Sequence, residues 1–191
     1  MQLYFIRHGE TDFNKNGQLQ GQTDIPLNKE GESQALAARK KIGNMKFDAI
    51  YSSPLQRAVC TGEIVTKQSG VTFHKDPRLI EISFGDGEGK EFMRQPQSFR
   101  NFFDDPDHFE PMNRGEDFQQ LLSRAQNFLD NIILHSYDNV CIFSHGGLIH
   151  AVLMLVCGYQ LKDFWKLKVP NCAICQIEWK DDKFKLIQID N

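Results

Sequence analysis

Short apolar runs alternate with polar, helix-patterned segments along most of the chain. Leu3 to Ile6 is an unbroken run of β-formers, the pattern of a strand buried on both faces. Phe47 to Tyr51 predicts a second strand, Val71 to His74 a third and Val140 to Phe143 a fourth. Helical patterns lie between them. Asn28 reads as the N-cap of a helix from Lys29 to about Ile42 that stops near Gly43. Ser53-Pro54 reads as a cap and first residue for a helix running to about Gln68. Pro77 to Gly89 is a Gly-rich loop. Glu91 to Asp104 follows as a helix, with Phe92, Phe99, Phe102 and Phe103 on helical spacing. A Pro-interrupted loop, Asp105 to Arg114, leads to a long amphipathic helix from Gly115 to about His135. After the fourth strand, Ser144-His145-Gly146-Gly147 opens a helix to Val156. Cys172 to Trp179 and Phe184 to Ile189 alternate as strands joined by a turn at Lys180-Asp181-Asp182-Lys183.

Strands alternating with helices predict an α/β layered fold with a mostly parallel central sheet flanked by helices. The terminal hairpin makes that sheet mixed. With 191 residues, 40% of them apolar and 25% charged, the chain fits one domain over 1–191, with a helical, lid-like insertion at about 90–114. The charge sum is 22 − 25 = −3, which argues against a nucleic-acid partner but leaves room for a small anion pocket. The apolar run before Arg7 is too short for a signal peptide or a membrane span. The run from Gly146 to Gly158 is broken by His150 and reads as a buried helix, so no membrane partner is expected. Five cysteines without framework spacing point to a reducing compartment, and the cytoplasm is the expected location.

Ligands of such sheets sit beyond the carboxyl ends of the strands, and four signals fall there. Arg7-His8-Gly9-Glu10-Thr11 follows the first strand. Arg7 offers a planar fork for phosphate oxygens, His8 a nucleophile near neutral pH, and Gly9 lets the backbone turn so that the two converge. His145 follows the fourth strand, where the glycine amides that open a helix make an anion site; a structural or capping histidine is the other reading. Arg57 lies in the first turn of a helix, an unfavourable end for a cation unless an anion is bound nearby; a plain surface charge is the other reading. Glu81, after the third strand, could donate a proton beside a bound phosphate, with Asp86 or Glu88 competing for that role.

The Arg-His-Gly-Glu-Thr opening, the Ser-Ser-Pro-Leu-x-Arg-Ala segment and the Ser-His-Gly-Gly segment stand in an order that resembles the histidine phosphatase superfamily, the phosphoglycerate mutase-like family. The resemblance runs from Leu3 through Pro170-Asn171-Cys172-Ala173-Ile174. It implies attack by His8 on phosphorus, a phosphohistidine intermediate and protonation of the leaving oxygen by Glu81. Arg7, Arg57 and His145 would neutralise the phosphate charge, so no metal and no cofactor is implied. Asn14 and Gln20, matching the family's Asn-x-x-x-x-x-Gln-Gly stretch, and the amide of Gly146 would add hydrogen bonds. The implied partner is a small phosphate ester, and the implied activity is phosphomonoester hydrolysis of broad specificity. The alternatives are a phosphoglycerate mutase, a dedicated α-ribazole or sugar-bisphosphate phosphatase, and a non-catalytic phosphate-binding relative. The family often has Gly-Asp-Trp-Glu-Gly where this chain has Gly85-Asp86-Gly87-Glu88-Gly89. Gly87 therefore predicts lost apolar packing, a more flexible loop and a less certain position for Glu81.

Overall fold

The computed structural model describes residues 1–67 and 72–190. Six strands, β1 (Gln2–Arg7), β2 (Ala49–Ser52), β3 (Phe73–Lys75), β4 (Asn139–Ser144), β5 (Ile174–Lys180) and β6 (Lys183–Asp190), form one sheet in the order β3-β2-β4-β1-β5-β6. The first four in that order are parallel; β5 runs antiparallel to β1, and β6 antiparallel to β5. The sheet is mixed, as the alternating pattern predicts. The β5–β6 turn is closed by Asp181 and Asp182, both with positive φ, the two-residue geometry that matches strand twist.

Successive residues of a strand face opposite sides, and both sides are covered. Leu3, Phe5, Val140 and Ile142 pack into the larger core with α5 (Phe118–Ile132) and α6 (Gly146–Cys157). Tyr4, Ile6, Cys141 and Phe143 face the smaller core with α2 (Lys29–Ile42) and α3 (Gln56–Thr66). Two-sided burial is why these strands are continuous apolar runs. The chain leaves β1 toward one side of the sheet and leaves β4 toward the other. Their shared carboxyl edge is therefore the point where connections diverge and a crevice opens.

Several local expectations are corrected. Ser53-Pro54 does not cap α3: the N-cap is Leu55, with no side-chain cap bond, and Ser53 Oγ is turned toward His145 instead. The continuous helix from Glu91 to Asp104 is broken. Pro96 forces Gln95 into extended backbone, so a 3₁₀ turn at Phe92–Arg94 precedes α4 (Gln97–Asp104). The amphipathic helix begins three residues late, at Phe118, where Asp117 and Gln120 make a capping box. A one-turn helix, α1 (Asp12–Lys15), was not anticipated; Thr11 and Asn14 cap it reciprocally. Gln68, the expected end of α3, and Val71, the expected start of the third strand, lie outside the described residues. Among the described residues no helix is long and apolar enough to cross a membrane.

Candidate active site

β1 and β4 pair with Arg7 opposite Ser144, so the next residues, His8 and His145, stand side by side with ring centroids 5.1 Å apart. The main chain at His8 is tied on two sides, its N–H donating to Ser144 O (2.9 Å) and its carbonyl accepting from Asn171 Nδ2 (2.9 Å). Gly9 and Gly31 let the turn after β1 meet the start of α2 backbone to backbone; a Cβ on Gly9 would overlap the Gly31 carbonyl. The Gly9 amide donates to Thr61 Oγ1 (3.0 Å), and that hydroxyl donates to Arg57 O (2.7 Å). His8 Nδ1 lies 2.7 Å from Gly9 O. A carbonyl only accepts, so Nδ1 carries the proton and Nε2 keeps its lone pair. Burial, then the charges of Arg57 and Arg7, hold the His8 pKa well below the ordinary 6.5, which keeps the ring neutral.

Arg57 is fully buried. Its outer nitrogens donate to Thr23 O (2.9 Å) and Gly21 O (2.6 Å), which ties the loop before α2 to the first turn of α3. Burial lowers its pKa to about 10, so it remains a cation at neutral pH. Arg7 donates to Val169 O (2.8 Å) and lies flat on Gly146, where a Cβ would come within 3.4 Å of Cζ. His145 is buried, with Nε2 2.7 Å from Ser53 Oγ and its pKa pushed well down by burial, then by Arg57. Among the described residues, four buried side-chain nitrogens lack a partner within the protein. Three of them are Arg7 Nε, Arg57 Nε and His145 Nδ1. Buried polar nitrogens are rarely left unpaired, and three gathered at one strand edge, two of them guanidinium donors, fit an anion.

Glu81 completes the edge. One carboxyl oxygen accepts from the amide of Gly147 (3.1 Å), the other from Leu148 (3.3 Å) and Ile82 (2.9 Å). His145, the N-cap of α6, makes no side-chain cap bond, so Glu81 caps that helix from another segment. The Glu81 backbone is anchored too. Ser144 Oγ donates to Leu79 O (2.7 Å), Arg124 Nη1 to Ile80 O (2.5 Å) and Gln22 Nε2 to Glu81 O (3.1 Å). The competitors lie elsewhere. Asp86 pairs with Arg114, and Glu88 accepts from Gln22 N, Thr23 Oγ1 and Phe84 N as a loop brace.

Arg7, His8, Asn14, Gln20, Arg57, Glu81, Gly146 and Gly147 line one cavity of about 320 Å³. Gln20 Oε1 accepts from Thr11 Oγ1 (2.8 Å) and Asn14 Oδ1 from Thr11 N (3.2 Å), so the capped turn of α1 orients both amides. His145, fully buried and 5.1 Å from the His8 ring, is not on that lining. Five aromatic side chains, Phe84, Phe92, Phe102, Phe103 and Trp165, share the rest of the wall with the 17–19 segment and Gly21. The expectation of lost packing at Gly87 is overturned. A Cβ there would meet Met112 Sδ at 2.9 Å and Leu19 and Phe99 at 3.5 Å, so other apolar side chains already fill the space.

Sequence reasoning missed Trp165, Ser53, Arg124 and Asn171. Only Ser53 and Asn171 carried a signal, since they stand inside the quoted motif segments. Residues 3–191 match the histidine phosphatase superfamily, branch 1. The chain belongs to that family. Among its relatives, phosphoserine phosphatase 1 of Hydrogenobacter thermophilus is 27% identical over 195 residues, covering 100% of this chain and 92% of that protein. YhfR of Bacillus stearothermophilus superposes with a TM-score of 0.90 at 31% identity, over 97% of this chain and 94% of that one. The α-ribazole phosphatase of Shigella flexneri gives a TM-score of 0.89 at 28% identity, over 100% and 96%. A histidine phosphatase fold thus carries one imidazole, two guanidiniums and a carboxylate on one cavity, with the second imidazole buried beside the first.

Proposed function

We propose that this histidine phosphatase hydrolyses phosphate monoesters by way of a phosphohistidine on His8. The observation that carries the reading is the His8 ring itself. Its Nδ1 proton is held by Gly9 O at 2.7 Å, and its neutral Nε2 is left free beside Arg7 and Arg57. Nε2 attacks phosphorus, the bond from phosphorus to the ester oxygen breaks, and Glu81 delivers a proton to that oxygen so that an alcohol leaves. A water then attacks phosphorus, the P–N bond breaks, and the Glu81 carboxylate takes the proton of the water. Inorganic phosphate is released and both groups return to their starting state.

Arg7 Nε, Arg57 Nε and His145 Nδ1 receive the equatorial oxygens, with Asn14, Gln20 and the Gly146 amide as further donors. Two guanidiniums supply the positive charge of the transfer and the neutral His145 ring a hydrogen bond, so the reading is of a phosphatase that works without a metal. Hydrolysis is favoured over phosphoglycerate mutation because a mutase must also hold a carboxylate. Arg7 and Arg57 are the only Lys or Arg side chains on the described cavity lining. Five unpaired cysteines fit work in the cytoplasm.

Rapid quench with a ³²P-labelled ester tests the intermediate. An acid-labile label on the protein within the first turnover, absent in His8→Ala, is expected. Label on another side chain, or turnover without any labelled protein, overturns the assignment.

A further inference from the structure

We infer that the leaving-group side of this cavity is built for a flat, uncharged apolar group. The preferred substrates are then phosphate esters of aryl or aryl-alkyl alcohols rather than of hydroxy acids. The inference rests on the phosphatase reading and narrows it.

Five aromatic side chains face the space beyond the phosphate nitrogens. Phe84 and Phe102 are buried and form its floor, their rings edge to face at 5.1 Å. Phe103 is 45% exposed and packs on Trp165 with centroids 4.6 Å apart, so this pair of touching rings forms one wall of the cavity. The Trp165 indole N–H donates to Phe102 O (2.5 Å), so the side chain offers a ring and not a donor. His150 backs it at 4.4 Å. The His150 nitrogens lie 2.7 Å from Gly146 O and 3.0 Å from Leu167 O, so the ring, donating to one of them when neutral, sits between the first turn of α6 and the segment after Trp165. The wall is thus preformed, and a planar ring entering it loses little freedom that the site has not already removed.

Charge excludes the alternative. Arg57 donates with both outer nitrogens to the Gly21 and Thr23 carbonyls and Arg7 with one to Val169 O, and each keeps Nε for phosphate. The nearby cations point elsewhere. Arg94 pairs with Glu91, Arg114 with Asp86, and Arg100 donates to Gln97. None of them, nor Lys90, is on the described lining. The carboxylate of a phosphorylated hydroxy acid would lose water against phenyl rings with no counter-charge to replace it. An apolar ring would gain by the same burial.

The test uses alkyl esters whose leaving alcohols are of similar basicity, so that intrinsic reactivity does not decide the result: 2-phenylethyl phosphate, ethyl phosphate, phosphoserine and 3-phosphoglycerate. For the wild-type enzyme, kcat/KM for 2-phenylethyl phosphate is expected to exceed that for each of the others at least tenfold. Phe103→Ala and Trp165→Leu should each lower the phenylethyl-to-ethyl ratio at least threefold. Phosphoserine or 3-phosphoglycerate turned over as well as the phenylethyl ester would overturn the subsite. An unchanged ratio in both variants would do the same. In either case a ³²P label on His8 from those esters leaves the phosphatase reading standing. If none of the four esters labels His8, the phosphatase reading itself fails.

Discussion

Replacing Gly147 by alanine separates the proton donor from the phosphate site. Gly147 has ordinary helical backbone in the first turn of α6, so alanine fits the main chain. The added Cβ would lie 2.5 Å from Glu81 Oε1 and 3.4 Å from its Cδ, closer than the oxygen tolerates. The mobile partner is the carboxyl group, which must leave the Gly147 and Leu148 amides. Losing that cap costs the helix about 1 kcal/mol, while alanine in place of glycine returns up to about 1 kcal/mol. The melting temperature should therefore move by only a few degrees. Activity should not escape. A positioned general acid contributes roughly 10²–10⁴-fold, and a displaced one forfeits much of that. We expect kcat/KM for an alkyl phosphate to fall about 100-fold, or about 2.7 kcal/mol of transition-state stabilisation. For p-nitrophenyl phosphate, whose leaving group departs without a proton, the fall should be less than about fivefold. The measurement is the dependence of kcat/KM on leaving-group basicity, which should steepen in Gly147→Ala as it does in Glu81→Gln. Equal losses on all esters would mean that the methyl group blocks phosphate, and the positioning argument would be refuted.

Three further outcomes follow from the geometry. Arg57→Lys keeps the charge but not the fork that joins Gly21, Thr23 and phosphate, and it should cost more than about 100-fold in kcat/KM on every ester, as steady-state assays would show. His8, His145 and His150 are buried with pKa values below the ordinary 6.5, so the unfolded chain binds their protons first and stability is lost as pH falls below about 6.5. Each should contribute up to about 1 kcal/mol per pH unit in that window. Urea titrations at pH 7, 6 and 5 should show the midpoint falling, and a flat profile would contradict neutral burial. Gly87→Trp should destabilise the fold by about 1–3 kcal/mol through collision with Met112, and Met112→Ala in the same chain should restore much of it. Thermal melts of both variants would decide this.

The candidate active-site edge was largely legible because its residues directly follow strands that announce themselves. Leu3–Ile6 and Val140–Phe143 are unmistakable buried runs, and one residue past each pairing stands a histidine. Arg57 was legible from the same logic, as a cation where a helix end disfavours one. What was hidden depends on distance across the fold. Trp165 lies some sixty residues beyond the Phe-rich segment and reaches it only because α6 crosses the sheet to bring it back. Arg124 looks like an ordinary polar position on an amphipathic helix; that it braces Glu81 is visible only when α5 lies over the loop at 78–80. Ser53 was misread because a serine before proline has a strong local meaning, and the tertiary partner, His145, outweighed it. Gly87 was misread because a missing ring was taken for a void, when Met112 from a later loop already occupied it.

Because the two imidazoles hang from neighbouring strands at matching positions, sheet spacing alone sets their separation. The mouth, by contrast, is assembled from 92–103 and a tryptophan after α6, and nothing in the strand ladder depends on either. Evolution can therefore rewrite the taste of such an enzyme without retuning its engine. Grafting those two stretches onto a sister scaffold ought to carry the appetite for one alcohol over another along with them.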